Sequence, residues 1–224
     1  MITSLSIHEL MDYTSRQLNH FYPDNRPVDL RTQEAQVRRA LDRLEHCFNQ
    51  CSLKHYFDGE QSHFNHLYSD HYVMYVWYLA NTIWKDGGDR NICNKLYYLN
   101  KSMHGLDCMF DTQLPDIFLV FHGVGTMLGK GSYSDYFVVL QGCTIGMNKG
   151  KYPVLGRGVA LTAHSSLIGD CLVGDLVTIA NHTSVMDTHI PARTVLFTNS
   201  AGAVEAKPSQ NSYAQTFFNR PIVP

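Results

Sequence analysis

Twelve histidines and six cysteines are the side chains through which a chain of this composition would do chemistry near neutral pH. The cysteines, Cys47, Cys51, Cys93, Cys108, Cys143 and Cys171, are scattered, with neither the dense spacing of a disulfide scaffold nor paired Cys-x-x-Cys ligand sets. Reduced thiols and no metal centre are therefore expected. Among the histidines, His122 stands in a glycine-rich run, His122-Gly123-Val124-Gly125, fifteen residues after Asp107. An imidazole titrates near neutrality and is the usual general acid or base. With so many histidines, any one taken alone is more often structural or on the surface. Asp107 has its own second reading, as the cap of a turn.

The elements that would carry these residues fall into two kinds, divided near residue 105. Before it, apolar residues recur at helical spacing, as in Val37, Leu41, Leu44 and Phe48, or Val73, Val76, Trp77, Ala80 and Ile83. Helices are expected over 3–20, 29–52, 64–86 and 90–103, broken by the turn chemistry of Tyr22 to Pro27 and by Gly87-Gly88. The aromatic series Tyr72, Tyr75, Trp77, Tyr78 and Trp84 reads as helix packing in preference to a ligand cage. After residue 105 Gly, Val, Ile and Thr take over and the helical period vanishes.

In its place is a period of six. Leu155, Leu161, Leu167, Val173, Ile179 and Val185 form an unbroken aliphatic series, and four residues after the first five come the compact Val159, Ser165, Cys171, Val177 and Thr183. A narrow triangular tube has room at each corner for one aliphatic side chain and one small neighbour. The frame reappears at Val139 and Ile145, with Cys143 as the compact partner, and the ten-residue step from Ile145 to Leu155 predicts a protruding loop over Gly146 to Pro153. A β sandwich would instead alternate by two, with turns every 8 to 12 residues or so. The expected fold is α+β: an N-terminal α-helical domain (1–104), a left-handed parallel β-helix of hexapeptide repeats (105–198) and a C-terminal tail (199–224).

A formal charge of −2 gives no electrostatic footprint for nucleic acid. No apolar stretch reaches the roughly 18 residues of a membrane span, since Tyr72 to Trp84 is cut off by Lys85-Asp86-Gly87-Gly88. The first ten residues lack the features of a secretory signal. A cytoplasmic protein with no nucleic-acid or membrane partner is expected.

Gly105-Leu106-Asp107 followed by His122-Gly123-Val124-Gly125 resembles serine O-acetyltransferase, which has Gly-Ile-Asp and His-Ala/Gly-Thr-Gly at the same separation. Val138 to Gly146 is similar to that family's Ser-Ile-Leu-Gln-x-Val-Thr-Leu-Gly stretch, and Tyr75 to Gly87 to its last long N-terminal helix. The resemblance implies an acetyl-CoA-dependent acetyltransferase, assembled as a homotrimer or a dimer of trimers. It makes His122 the general base that takes a proton from an acceptor hydroxyl and Asp107 the carboxylate that fixes its tautomer. One coil holds about 18 residues, so their separation puts the two on neighbouring coils. Gly142, Thr144, Gly146 and Ala163 would lie along the cofactor's arm, with Lys149, Lys151 or Arg157 near its phosphates. Lys149 and Lys151 also read as solvated loop charges.

The departures bear on the acceptor. Where the family has an Asp before its histidine, this chain has Phe121; where it has Arg-His-Pro, this chain has Lys151-Tyr152-Pro153. Phe121, Lys151 and Tyr152 are thus candidate acceptor contacts, joined by Asp58 or Asp70, which lie ahead of the long helix where the family places another acceptor-binding Asp. The final Ile222-Val223-Pro224 replaces the terminal Ile with which many relatives dock into cysteine synthase, so that partnership is not carried over. His164 and His182, three residues after aliphatic hexad positions, are alternative bases. Three functions follow: O-acetylation of serine or a similar amino acid, acetylation of a sugar or nucleotide-linked sugar, or a non-catalytic hexapeptide scaffold.

Overall fold

The computed structural model describes residues 1–210 and 212–223. In chain order the elements are β1 (Ile2–Thr3), α1 (Ile7–Phe21), a 3₁₀ turn (Leu30–Gln33), α2 (Glu34–Phe48), β2 (His63–Phe64), α3 (Ser69–Lys85) and α4 (Arg90–His104). Short strands follow: β3 (Leu106–Asp107), β4 (Phe118–Val120), β5 (Thr126–Leu128), β6 (Phe137–Val139), β7 (Thr144–Gly146), β8 (Val154–Leu155), β9 (Ala160–Leu161) and β10 (Ser166–Ile168). They continue as β11 (Leu172–Val173), β12 (Thr178–Ile179), β13 (Ser184–Met186), β14 (His189–Ile190), β15 (Thr194–Thr198) and β16 (Val204–Pro208).

The expected helices are present with shifted ends, and each shift has a local cause. The first begins at Ile7 because Ser6 and Glu9 form a reciprocal capping box. The residues ahead of it pair instead as β1 with β2, which also occupies the expected start of the third helix. Asp29 accepts the Arg31 N–H and holds Leu30–Gln33 as a 3₁₀ turn before α2. α2 stops at Phe48, and Cys51 is bridged to Phe218. α3 lies between α2 and α4 and is buried from Asp70 to Ile83, which explains why its sequence is apolar nearly all round. α4 ends on Gly105 at φ 67°, a left-handed residue that turns the chain into β3.

The strands stack as a parallel β-solenoid with three faces: β3-β5-β7-β10-β13, β8-β11-β14, and β4-β6-β9-β12-β15. The hexads explain the register. Leu155 pairs with Val173, Leu161 with Ile179 and Leu167 with Val185, each 18 residues on, which is three hexads per coil. All six are buried, as are the compact Val159, Ser165, Cys171, Val177 and Thr183 at the corners. Stacked aliphatic rungs at the ~4.8 Å strand spacing form a continuous apolar column.

The C-terminal segment does not trail away. β16 turns back antiparallel on β15. Beyond it, residues 212–223 run down one corner of the prism: Ser212 donates to the Gly158 carbonyl at 2.9 Å, the Phe218 ring meets Tyr136 at 4.9 Å, and the Phe217 ring meets Phe121 at 4.6 Å. At the bottom the Phe217 carbonyl accepts the Ser52 N–H at 2.9 Å, and the Asn219 amide donates to the carbonyls of Asn49 and Cys51, both at 3.0 Å. This strap ties the helical half to the solenoid.

Candidate active site

His122 sits on the edge where β4 turns into β5. Its backbone is left-handed, φ 50°, a conformation that costs a residue with a Cβ about 1 kcal/mol or more. The compensation comes from the first turn of α3, where Asp70 accepts the His122 N–H at 3.0 Å. The second carboxylate oxygen stands 3.7 Å from His122 Nδ1 and has no hydrogen-bond partner among the described residues. Burial raises the Asp70 pKa, opposed by the His122 N–H and by the imidazoles of His122 and His55. The imidazole itself is 73% exposed while the carboxylate behind it is 3% exposed. A wet ring backed by a dry carboxylate presents Nε2 outward.

Asp107 does not meet His122. Its carboxylate accepts from Tyr97 Oη and Lys101 Nζ, both at 2.7 Å. Burial pushes its pKa up, but these two hydrogen bonds and the Lys101 charge outweigh it and hold the carboxyl below its usual value. The reason is register: Asp107 pairs across the coil with Met127, five residues past His122, and the last turns of α4 overhang it. The fifteen-residue spacing fixes the coil, whereas the preceding helix fixes the direction. Tyr97 and Lys101 carry no chemical motif in the sequence, and only their four-residue spacing just ahead of Gly105 marks them as one helical face.

The same edge carries a column of left-handed residues, running from Gly105 in the coil below His122, through Gly125 in its own turn, to Gly142, His164 and His182 above it. The His164 ring folds over Gly142, where a Cβ would come within 2.2 Å of Nδ1, and the His182 ring stacks on His164 at 5.0 Å and 9°. Gly125 thus leaves a patch of bare backbone beside His122, whereas the backbone of Gly142 lies under the His164 ring. Ala163 adjoins His164, and Thr144 and Gly146 lie on β7 just past Gly142, with Ile145 turned inward between them. These expected cofactor contacts are brought together.

Others are not. Arg157 occupies the corner under the strap, over the Tyr136 ring at 5.1 Å, beside Asp135 at 3.5 Å and donating to the Ile222 carbonyl. Lys149, Lys151 and Tyr152 project on the loop after β7, a different edge from His122, where the loop faces Asp170, Asp187 and His189. Phe121 is only 7% exposed, packed between Tyr56 and Phe217, so it walls the site as part of an aromatic core. Of the two candidate acidic residues ahead of the long helix, Asp70 reaches His122, whereas Asp58 accepts from His63 and from the N–H groups of Glu60 and Gln61, which hold its pKa far below the carboxylate range. Among the described residues no group of three His, Cys, Asp or Glu is placed to hold a metal ion, and no helix is long and apolar enough to cross a membrane.

No family model and no curated protein matches the sequence. Solved structures do match. Serine acetyltransferase from Brucella abortus strain S19 superposes with a TM-score of 0.69 at 18% identity, covering 92% of this chain and 85% of that one. The Neisseria gonorrhoeae enzyme in complex with serine gives 0.65 at 19% identity over 91% and 84%. The Entamoeba histolytica isoform 3 in complex with cysteine gives 0.58 at 19% identity over 90% and 72%. The chain therefore has the fold of the serine acetyltransferases, an α-helical domain followed by a parallel β-solenoid of hexapeptide repeats.

Proposed function

We propose that this protein is an acyl-CoA-dependent O-acyltransferase, acetyl-CoA being the donor, with His122 as general base and Asp70 as the carboxylate that positions it. The observation that carries the reading is the His122 ring, exposed at a solenoid edge while its Nδ1 side is backed by a buried carboxylate. A hydroxyl is a weak nucleophile at neutral pH; as it attacks the thioester carbonyl, its proton passes to His122 Nε2. The imidazolium so formed lies against Asp70, whose unpaired oxygen gains a charged neighbour. Collapse of the tetrahedral adduct breaks the C–S bond, and the proton held on Nε2 goes to the departing sulfur, leaving an ester and a free thiol.

The bare backbone at Gly125, where a side chain would meet nothing closer than the Gly142 Cα at 3.8 Å, suits an extended arm beside His122. In this reading the chain assembles as a homotrimer through faces that expose Met127, Met186, Val154 and Leu172, and the loop carrying Lys149 and Lys151 serves the His122 edge of a neighbouring copy.

The test is thiol release from acetyl-CoA with serine, homoserine and a panel of sugars. His122→Ala is expected to lower kcat about 100-fold or more with the assembly intact. Full activity in that variant would remove His122 as the base and leave His164 or His182.

A further inference from the structure

On the helical half, a cleft of about 510 Å³ opens between β1, β2 and the start of α3, lined by His55, His63, Phe64, Tyr68 and His71 together with Ser4. His71 is its buried floor, 2% exposed. Its Nδ1 accepts the Asn65 N–H at 3.2 Å. Burial, with His55 and His63 nearby, lowers its pKa to about 3, so the ring is neutral and its proton resides on Nε2. That Nε2–H is buried and has no partner among the described residues. The hydroxyl of Tyr56, whose ring lies 4.3 Å from His71, is likewise buried and unpaired. An unmet donor on the residue that floors an open cleft is what a bound ligand would satisfy.

The walls define the ligand. No Lys or Arg lines the cleft, and the carboxylate at its rim, Asp58, is committed to His63 and two backbone N–H groups. An amino acid would find no free counter-ion for either end. The half-buried Tyr68 and the exposed His55 offer flat ring faces, with centroids 4.6 and 6.1 Å from that of His71. His55 Nε2 and Tyr68 Oη, 3.2 Å apart, add polar groups that donate or accept. Flat ring faces with convergent polar groups match a hydroxylated ring. We propose that this cleft binds a neutral sugar ring, one of whose oxygens accepts the Nε2–H of His71. His71 directly follows Asp70 on α3, so on the acyl-transfer reading the bound ring belongs to the acyl acceptor. The inference leans on that reading for this purpose alone.

The experiment is saturation-transfer NMR on the full chain with methyl glycosides of glucose, galactose and mannose and with L-serine, in the absence of any acyl donor. Saturation is expected to reach at least one glycoside, to fall at least tenfold in His71→Phe, and to persist in His122→Ala. Should His71→Phe not fold, Tyr68→Leu at the wall is expected to give the same loss. No glycoside binding, glycoside binding indifferent to these variants, or serine binding abolished by them would overturn the proposal. Since no turnover is involved, failure of the acyl-transfer reading shows separately, as retained activity in His122→Ala.

Discussion

The Asp70 carboxylate accepts the backbone N–H of His122 at 3.0 Å across 52 residues of sequence, joining the first turn of α3 to the edge of the solenoid. This contact fixes the left-handed turn at His122 and sets a buried charge behind its ring.

Asp70→Asn separates stability from activity. A carboxyl whose folded pKa is raised favours the folded state in its protonated form, so its contribution is complete below the ordinary value near 4 and is lost as pH rises through the folded value. An amide keeps an acceptor for the His122 N–H without the buried charge. Thermal melts at pH 7 are expected to show Asp70→Asn at least as stable as the parent, with thiol release down by about tenfold or more. A destabilised but fully active variant would contradict both halves.

The Asp107 pair behaves with the opposite sign. Its lowered pKa gives stability above the ordinary carboxylate value that is lost as pH falls through the folded one. Urea unfolding of Lys101→Met is expected to show a small deficit at pH 7, because the pair is partly exposed, and the deficit should shrink as the pH falls through the folded value of Asp107. Asp107→Asn is expected to cost less activity than Asp70→Asn; the reverse order would restore Asp107 as the partner of the base.

Gly142 has two reasons to lack a side chain: its φ of 67° and the His164 ring above it. Gly142→Ala is expected to cost about 1–3 kcal/mol in chemical denaturation. Part of that loss should return in Gly142→Ala/His164→Gly, where the ring is gone. Equal losses in the single and double variants would mean the contact contributes nothing.

The strap predicts a coupling between distant segments. Phe218 is buried against Tyr136, and Phe218→Ala is expected to destabilise by about 3 kcal/mol. Amide exchange at Ser52, whose N–H is held by the Phe217 carbonyl, should accelerate in the same variant. Unchanged exchange there would mean the strap does not hold the helical half.

The sequence alone determined the solenoid and the helical half. A period of six admits one inward aliphatic rung per strand, so the register of Leu155, Leu161 and Leu167 with Val173, Ile179 and Val185 follows from the residues themselves. The 3.6-residue period likewise placed four helices, and the ten-residue step after Ile145 placed the protruding loop. Tertiary structure decided which groups meet. Asp70 and Asp58 are alike as sequence, yet only the docking of α3 against the solenoid brings one of them to His122. Asp107 keeps its spacing from His122 but is claimed by Tyr97 and Lys101 from the helix before it. Arg157 and Phe121 are taken by a strap more than fifty residues downstream. Periodicity reports how each residue faces its own element, because neighbours along the chain share one geometry. Encounters between elements depend on how whole surfaces pack, and no local pattern encodes them.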